Sequence, residues 1–127
     1  MIIVLDARSH LPLWEQIVLQ VKEQILRNVL LNGDKLPSVR ELATTLLINP
    51  NTVSRAYQEL ERSGIIETVR GKGTFVIGLT KESVSEQTLL KYQNKFSNLL
   101  IESLMEGIDE ELIINWVKEV YSKKGVE

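Results

Sequence analysis

Residues 36–64 read LPSVRELATTLLINPNTVSRAYQELERSG, and this stretch predicts two short helices in close succession. Ser38, with Glu41 three positions later, has the capping-box pattern in which each side chain pairs with a backbone N–H of the other residue. Asn49 can cap a second helix, and Pro50 suits its first position because an N–H there would have no helical partner. Two short helices joined in this way are expected to cross as a helix-turn-helix.

The apolar residues of both helices recur at three- and four-residue intervals, so each helix has one face to bury. In the first helix the residues expected to be buried are Leu42, Ala43, Leu46 and Leu47. In the second they are Val53, Ala56, Tyr57 and Leu60. Gly64 then stands where a helix terminator is expected, because glycine adopts the left-handed backbone conformation at no steric cost.

Upstream of this pair, an amphipathic helix is predicted to begin at Pro12 and to end between Asn28 and Leu31. Its apolar stripe consists of Trp14, Ile17, Val18, Val21, Ile25 and Leu26. Residues 32–34, Asn-Gly-Asp, are a turn signal. One helix therefore precedes the helix pair.

Downstream of the pair, the apolar pattern changes from that of a helix to that of strands. Residues 65–69 (IIETV) and 74–77 (TFVI) are predicted strands, and Arg-Gly-Lys-Gly at 70–73 is predicted to be a tight turn between them. Three helices followed by a two-stranded β-hairpin make a winged helix-turn-helix. We therefore predict an α+β, mostly α fold whose N-terminal domain spans residues 1–78.

The remaining residues, 79–127, are predicted to form two helices after a junction at residues 78–81. The first helix is expected from about Thr80, Gly107 interrupts its apolar stripe, and Asp109 can cap the second. An intramolecular core could use this stripe, but two helices have little to bury against within one chain, so we expect them to pair with a second copy. The residues expected at this dimer interface are Leu89, Tyr92, Phe96, Leu99, Leu100, Leu112, Ile113, Trp116, Val117 and Val120.

The composition argues against several kinds of chemistry. The 127 residues contain no cysteine, which rules out disulfides and thiolate metal sites. His10 is the one histidine, so a multi-histidine metal site within the chain is also ruled out. No pair of carboxylates indicates a catalytic cleft. We therefore expect no metal, no cofactor and no enzymatic activity.

Charge and hydropathy are those expected of a cytoplasmic protein. No apolar stretch approaches the roughly 18 residues that span a bilayer, and the short apolar run at 1–5 lacks the basic region of a signal peptide.

The net charge is −2, yet residues 1–78 carry nine Lys or Arg against eight Asp or Glu, whereas residues 79–127 carry six against nine. A local basic surface can attract DNA to an acidic protein because salt confines the field to about 10 Å.

Polar and basic residues stand at the positions from which a winged helix contacts double-stranded DNA. Arginine can fork onto guanine and asparagine onto adenine, so Arg55 and Asn51 are candidates for base contacts. Free N–H groups where the first helix of the pair begins favour phosphate, and Arg70 and Lys72 flank a glycine at the wing tip. The residues expected to contact DNA are Ser38, Arg40, Asn49, Asn51, Thr52, Ser54, Arg55, Arg70, Gly71, Lys72, Gly73 and Thr74.

These motifs resemble the GntR family of bacterial regulators over roughly residues 10–78. The resemblance rests on PLWEQI at 12–17, LPSVRELA at 36–43, NPNTVSRAY at 49–57 and RGKGTFV at 70–76. Many members read Ser-Arg-x-Thr-Val-Arg where this chain reads Asn-Pro-Asn-Thr-Val-Ser. The form found here resembles the short YtrA-type branch of the family.

The resemblance has implications for the DNA contacts and for assembly. It implies that Arg55 is the candidate for contacts that other branches make with arginines at positions 50 and 54. Larger branches carry an effector domain after the wing. The roughly 49 residues after Gly78 instead resemble the short helical tail with which YtrA-type regulators dimerise.

Residues and resemblance together favour a sequence-specific DNA-binding transcriptional regulator. We expect a repressor that binds a palindromic operator as a homodimer, because two-fold symmetry in the protein calls for two-fold symmetry in the site. A pocket for a small-molecule effector could form at the dimer interface, and no motif encodes the identity of such an effector. The alternative is a winged-helix module for protein interaction or assembly that does not read DNA.

Overall fold

The computed structural model describes residues 1–79 and 83–122, which form two compact units, one before and one after residues 80–82. The first unit consists of α1 (Leu13–Leu26), β1 (Lys35–Leu36), α2 (Val39–Leu46), α3 (Pro50–Arg62), β2 (Ile66–Val69) and β3 (Gly73–Val76). The second consists of α4 (Glu86–Met105) and α5 (Glu110–Ser122). The helix expected from about Thr80 starts only at Glu86, after residues 83–85, which are not helical, so its predicted start was too early. The end of the expected junction, at residues 80 and 81, lies outside the described residues.

One hydrophobic core organises the first unit. The helix α3 packs against α1, α2 and β2, and all four of its residues expected to be buried are buried. The buried apolar residues of the core are Ile3, Ile17, Val18, Val21, Ile25, Leu30, Leu36, Leu42, Ala43, Val53, Ala56, Tyr57, Leu60, Ile66 and Val76. Since α3 is held on three sides, its remaining face is presented on a rigid base.

The predicted start signals of α2 and α3 are confirmed as caps. The Ser38 hydroxyl oxygen accepts the Glu41 N–H at 3.1 Å, and a Glu41 carboxylate oxygen accepts the Ser38 N–H at 3.2 Å. The Asn49 side-chain oxygen accepts the Asn51 N–H at 2.8 Å. After α3, Gly64 adopts a φ of +75° as the chain leaves the helix. These local signals fix both helices of the pair.

The expected burial of Leu47 is wrong. Leu47 follows the last residue of α2 in the left-handed conformation, with φ 57° and ψ 45°, and its side chain is 90% exposed. The left-handed residue breaks the helical register, so the side chain turns away from the face that carries Leu42. Ile48 takes its place against the core, and its N–H donates to the Ala43 carbonyl at 3.1 Å.

The helix α1 is shorter than expected. It ends at Leu26, and Asn28 has a φ of +58°, so the chain leaves the helix before the predicted range of 28–31. Leu26, which was expected on the buried stripe, is instead exposed at the end of the helix. The rest of the stripe is buried except Trp14, which is partly buried and packs against the core.

The wing is a three-stranded antiparallel sheet in the order β1-β3-β2, rather than the two-stranded hairpin expected. The hairpin itself is confirmed, with Val69 opposite Gly73. On the other edge of β3, Lys35 of β1 lies opposite Phe75. Because β1 has two residues, it is too short to show the alternation from which strands are predicted.

Glutamines on α1 hold the N-terminal segment, residues 2–6, along the helix. Successive side chains one turn apart donate their amide N–H to backbone carbonyls of alternate residues at 2.7–2.9 Å. The pairs are Gln16 with Asp6, Gln20 with Val4, and Gln24 with Ile2. In the first two pairs the amide oxygen also accepts the backbone N–H of the same partner. The helix therefore pairs with an extended segment through side chains, as a neighbouring strand would through its backbone.

The second unit contains two amphipathic helices with no buried residue in either. Ser85 caps α4. Gly107, with a φ of +86°, follows the end of α4, where an interruption was expected. The Asp109 carboxylate accepts the Leu112 N–H at 3.0 Å and so caps α5, as predicted. Within residues 1–79 and 83–122, no helix is both long enough and apolar enough to cross a membrane.

Candidate nucleic-acid interface

A buried tyrosine fixes the start of α2 relative to α3. The Tyr57 hydroxyl donates to the Pro37 carbonyl at 2.7 Å, and the side chain is 6% exposed. Burial raises the pKa of the Tyr57 phenol well above its usual range, and the negative charge of Glu41 adds to the effect. Pro37 immediately precedes Ser38, so this bond holds the first turn of α2 in place.

The first turn of α2 presents a hydroxyl, a guanidinium and free N–H groups. Ser38 and Arg40 are both exposed. The hydrogen bonds from Ser38 lower the pKa of the Glu41 carboxyl, because they favour its charged form. The backbone N–H groups of Val39 and Arg40 lie in the turn where a helix has no internal acceptors. This end of α2 can bind phosphate.

The first two turns of α3 present the residues expected to read bases. Asn49, Asn51 and Arg55 are exposed, whereas Thr52 and Ser54 are partly exposed. The Asn49 side-chain oxygen accepts the cap bond, and the N–H donors of its amide group are not used in that bond. Asn51 and Arg55 are four residues apart and therefore share one face of the helix.

The guanidinium of Arg55 lies against an aromatic ring of α1. Its central carbon, Cζ, is 4.3 Å from the centroid of the Trp14 ring. Within the part of the chain that the structure describes, Arg55 forms no ion pair. At the other end of α3, by contrast, Arg62 makes two bonds to the Glu59 carboxylate, which raise the pKa of the arginine and lower that of the glutamate. In the described residues, Arg62 is thus paired with a carboxylate and Arg55 is not.

The wing tip is basic and shaped by glycines. Arg70, Gly71 and Lys72 are exposed, and Gly71 has a φ of +79° in the turn. The Thr74 hydroxyl lies 3.3 Å from that of Thr68 across the hairpin, so it is partly satisfied within the wing. The tip can therefore approach a phosphate or a groove without a bulky side chain at its centre.

Lys35 is a basic residue of the wing that the sequence reasoning missed. A Cβ atom at Gly73, whose φ is +128°, would stand 2.7 Å from the Lys35 Cε. The lysine stem therefore lies directly over this glycine. Its position follows from β1 pairing with β3, and since β1 was not predicted, the sequence offered no signal beyond the charge itself.

All twelve residues expected to contact DNA thus lie in the first unit, on α2, α3 and the wing or at their ends. Within the described residues, no three His, Asp or Glu side chains stand together as a metal site requires. A capped helix pair with polar residues on the free face of the second helix, followed by a basic wing, defines a winged helix-turn-helix DNA-binding domain.

The family follows from sequence comparison. The family model "Bacterial regulatory proteins, gntR family" matches residues 13–76. The chain is 46% identical over 118 residues to the HTH-type transcriptional repressor YtrA of Bacillus subtilis, covering 93% of this chain and 91% of that protein. The chain therefore belongs to the GntR family of bacterial transcriptional regulators and resembles its YtrA-type branch. Its relatives are DNA-binding regulators and not enzymes.

Solved structures agree with this assignment. A structure titled as a transcriptional antiterminator from Listeria monocytogenes EGD-e is similar with a TM-score of 0.87 and 37% identity, covering 100% of this chain and 95% of that one. The DNA-binding domain of AraR in complex with operator ORX1 is similar with a TM-score of 0.51 and 27% identity, covering 57% of this chain and 90% of that one. A structural neighbour of the N-terminal unit is thus seen bound to DNA.

The ten residues expected to dimerise lie on α4 and α5. Nine of them have apolar side chains that are between 40% and 66% exposed, and Ile113 is partly buried. Further exposed apolar residues on the same helices are Leu90, Ile101, Leu104, Met105 and Ile114. So much exposed apolar surface is unusual for a chain that functions alone.

Proposed function

We propose that the protein is a homodimeric repressor that reads a palindromic operator through α2, α3 and the wing. The observation that carries this proposal is the exposed polar face at the start of α3, supported on three sides by a packed core. Asn51 and Arg55 take the role of base readers, with Thr52 and Ser54 beside them. Residues 1–78 form the reading domain and residues 79–127 the dimerisation segment.

The remaining candidates position the protein on the DNA backbone. Ser38, Arg40 and the free N–H groups of α2 contact one phosphate region, and Asn49 contributes its amide N–H. Arg70, Lys72 and the backbone of Gly71, Gly73 and Thr74 contact the backbone or groove beside it. Such contacts carry no sequence information, so losing one weakens specific and random binding alike.

Dimerisation through α4 and α5 is supported by the exposed apolar side chains of these helices. Packing these side chains against a second copy would stabilise the dimer by about 25 cal/mol for each Å² of apolar surface removed from water. A two-fold dimer presents two identical reading domains and therefore selects two identical half-sites in opposite orientation. Repression is the role named for the Bacillus subtilis relative, and a dimer bound over a promoter would produce it by excluding polymerase.

The test is selection of DNA by the full chain from duplexes with a random central region. The expected result is a two-fold symmetric site that resists competition by random duplex. An Arg55→Ala variant should lose affinity for that site, whereas Arg27→Ala, which removes an exposed arginine at the end of α1, should not.

Two outcomes would contradict the proposal. Enrichment of no sequence, with binding abolished by random duplex, would leave a non-specific DNA-binding protein. No binding even at low salt, where phosphate contacts are strongest, would favour a winged-helix module for protein interaction.

A further inference from the structure

The contact between Arg55 and Trp14 joins two helices at the edge of the proposed reading surface. Trp14 is the second residue of α1, partly buried and packed against the core, whereas Arg55 is the sixth residue of α3 and exposed. With 4.3 Å between the guanidinium carbon and the ring centroid, the two groups are in direct contact. This distance is well within the range of a cation–π interaction.

The tryptophan holds the guanidinium without consuming its hydrogen bonds. The ring attracts the cation through its face, and the N–H donors of a guanidinium lie in its own plane and point outward. An acidic partner would instead occupy those donors, as Glu59 does with Arg62. Arg55 therefore keeps a full set of donors in a restricted orientation.

Restriction of this side chain matters because a free arginine has many rotamers and loses that conformational entropy when it is fixed on DNA. A side chain ordered before binding loses less on complex formation and so binds more tightly. Trp14 is itself held by its packing against the core, so its ring restricts the orientations that the Arg55 guanidinium can adopt.

We infer that Trp14 is a positioning residue that orders Arg55 for base reading without touching DNA. The inference rests on the proposed function, because it requires that Arg55 contact a base. It deepens that function by making specificity at one base pair depend on a residue of the first helix. It also predicts that an aromatic face, rather than bulk alone, is needed at position 14.

The test compares Trp14→Leu, Trp14→Phe, Arg55→Ala and the Trp14→Leu/Arg55→Ala double variant of the full chain. The probe is the duplex that the unaltered protein selects from a random library, with random duplex as the reference. A cation–π contact of about 0.5–1 kcal/mol corresponds to a two- to fivefold change in affinity. Trp14→Leu should weaken binding to the selected duplex by about that factor and relax preference at one base pair, whereas Trp14→Phe should retain most of both.

The double variant separates positioning from a general effect on folding. Trp14→Leu should have no further effect on affinity once Arg55 is alanine. Leu19→Ala, which shortens a half-exposed apolar side chain of the same helix, should change neither affinity nor base preference. Melting temperatures of all variants show whether a loss of affinity merely follows a loss of folded protein.

Each other outcome overturns the inference in a recognisable way. Equal losses from Trp14→Leu with and without Arg55 would show that the tryptophan acts through the fold. Tighter binding by Trp14→Leu would show that the ring withholds Arg55 from DNA. If the unaltered protein selects no sequence at all, the proposed function fails first, which is a separate result.

Discussion

At the scale of single residues, the Tyr57 hydroxyl joins α3 to the start of α2 by a hydrogen bond. Replacing the tyrosine with phenylalanine removes the bond to the Pro37 carbonyl and keeps the packing of the ring. We expect Tyr57→Phe to lower the free energy of unfolding by about 1 kcal/mol at neutral pH, as one lost hydrogen bond does. Chemical denaturation measures this, and Tyr121→Phe, at an exposed position of α5 outside the ten residues expected to dimerise, is the matched control.

The same tyrosine makes a prediction about alkaline pH. The folded protein raises the pKa of the phenol above its unfolded value near 10. Its contribution to stability is therefore fully present below about pH 10 and is lost as the pH rises further, because the unfolded chain releases the proton more readily. Above about pH 10, the unaltered protein should lose more stability than Tyr57→Phe; an equal loss in both would contradict the assignment.

Arg55 offers the sharpest residue-scale prediction for function. If it forks onto a guanine, Arg55→Ala should cost about 1–3 kcal/mol of specific binding and relax specificity at one base pair. Affinities for the selected duplex and for random duplex distinguish the roles. An equal loss on both duplexes would instead assign the arginine to a phosphate.

At the scale of elements, the turn between α2 and α3 carries an avoidable strain. Leu47 occupies the left-handed region that asparagine and glycine prefer, and its side chain is almost fully exposed. Leu47→Asn should therefore raise the free energy of unfolding, by about 0.5–1 kcal/mol. Leu46→Asn, one position earlier and partly buried, should lower it, and thermal or chemical denaturation compares the two.

The glutamine pairs along α1 give a second element-scale prediction. Gln16 is 7% exposed and bonds to the backbone of Asp6 and to the Leu11 carbonyl. Gln16→Leu leaves these groups without partners and should destabilise the first unit by about 1–3 kcal/mol. Gln20→Leu, at a more exposed position among these glutamine pairs, should lower the free energy of unfolding by less. Equal losses, measured by denaturation, would show that burial does not set the cost.

Local interactions could be predicted from the sequence, whereas long-range contacts could not. The caps at Ser38, Asn49 and Asp109 were predicted correctly because each depends on residues within one turn. The contact between Trp14 and Arg55 joins residues far apart in sequence and exists only once α1 packs on α3. The two residues of β1 form a strand because they pair with β3, so no local sequence pattern predicts it.

At the scale of the whole molecule, the exposed apolar residues of α4 and α5 should determine the oligomeric state. Phe96→Glu places a charge in the expected interface and should convert a dimer into monomers, because an unpaired buried charge costs several kcal/mol. Asn94→Glu adds the same charge at an exposed polar position of α4 and is the matched control. Sedimentation velocity gives the mass of each, and a Phe96→Glu dimer would show that the interface lies elsewhere.

We propose that two copies of this chain read one two-fold DNA site, and the mass of the protein–DNA complex tests this most directly. Native mass spectrometry of the full chain with its selected duplex, in the presence of a scrambled duplex of different mass, counts chains per DNA. We predict two chains on the selected duplex and little protein on the scrambled one. A single chain per duplex, or equal occupancy of both duplexes, would contradict the claim.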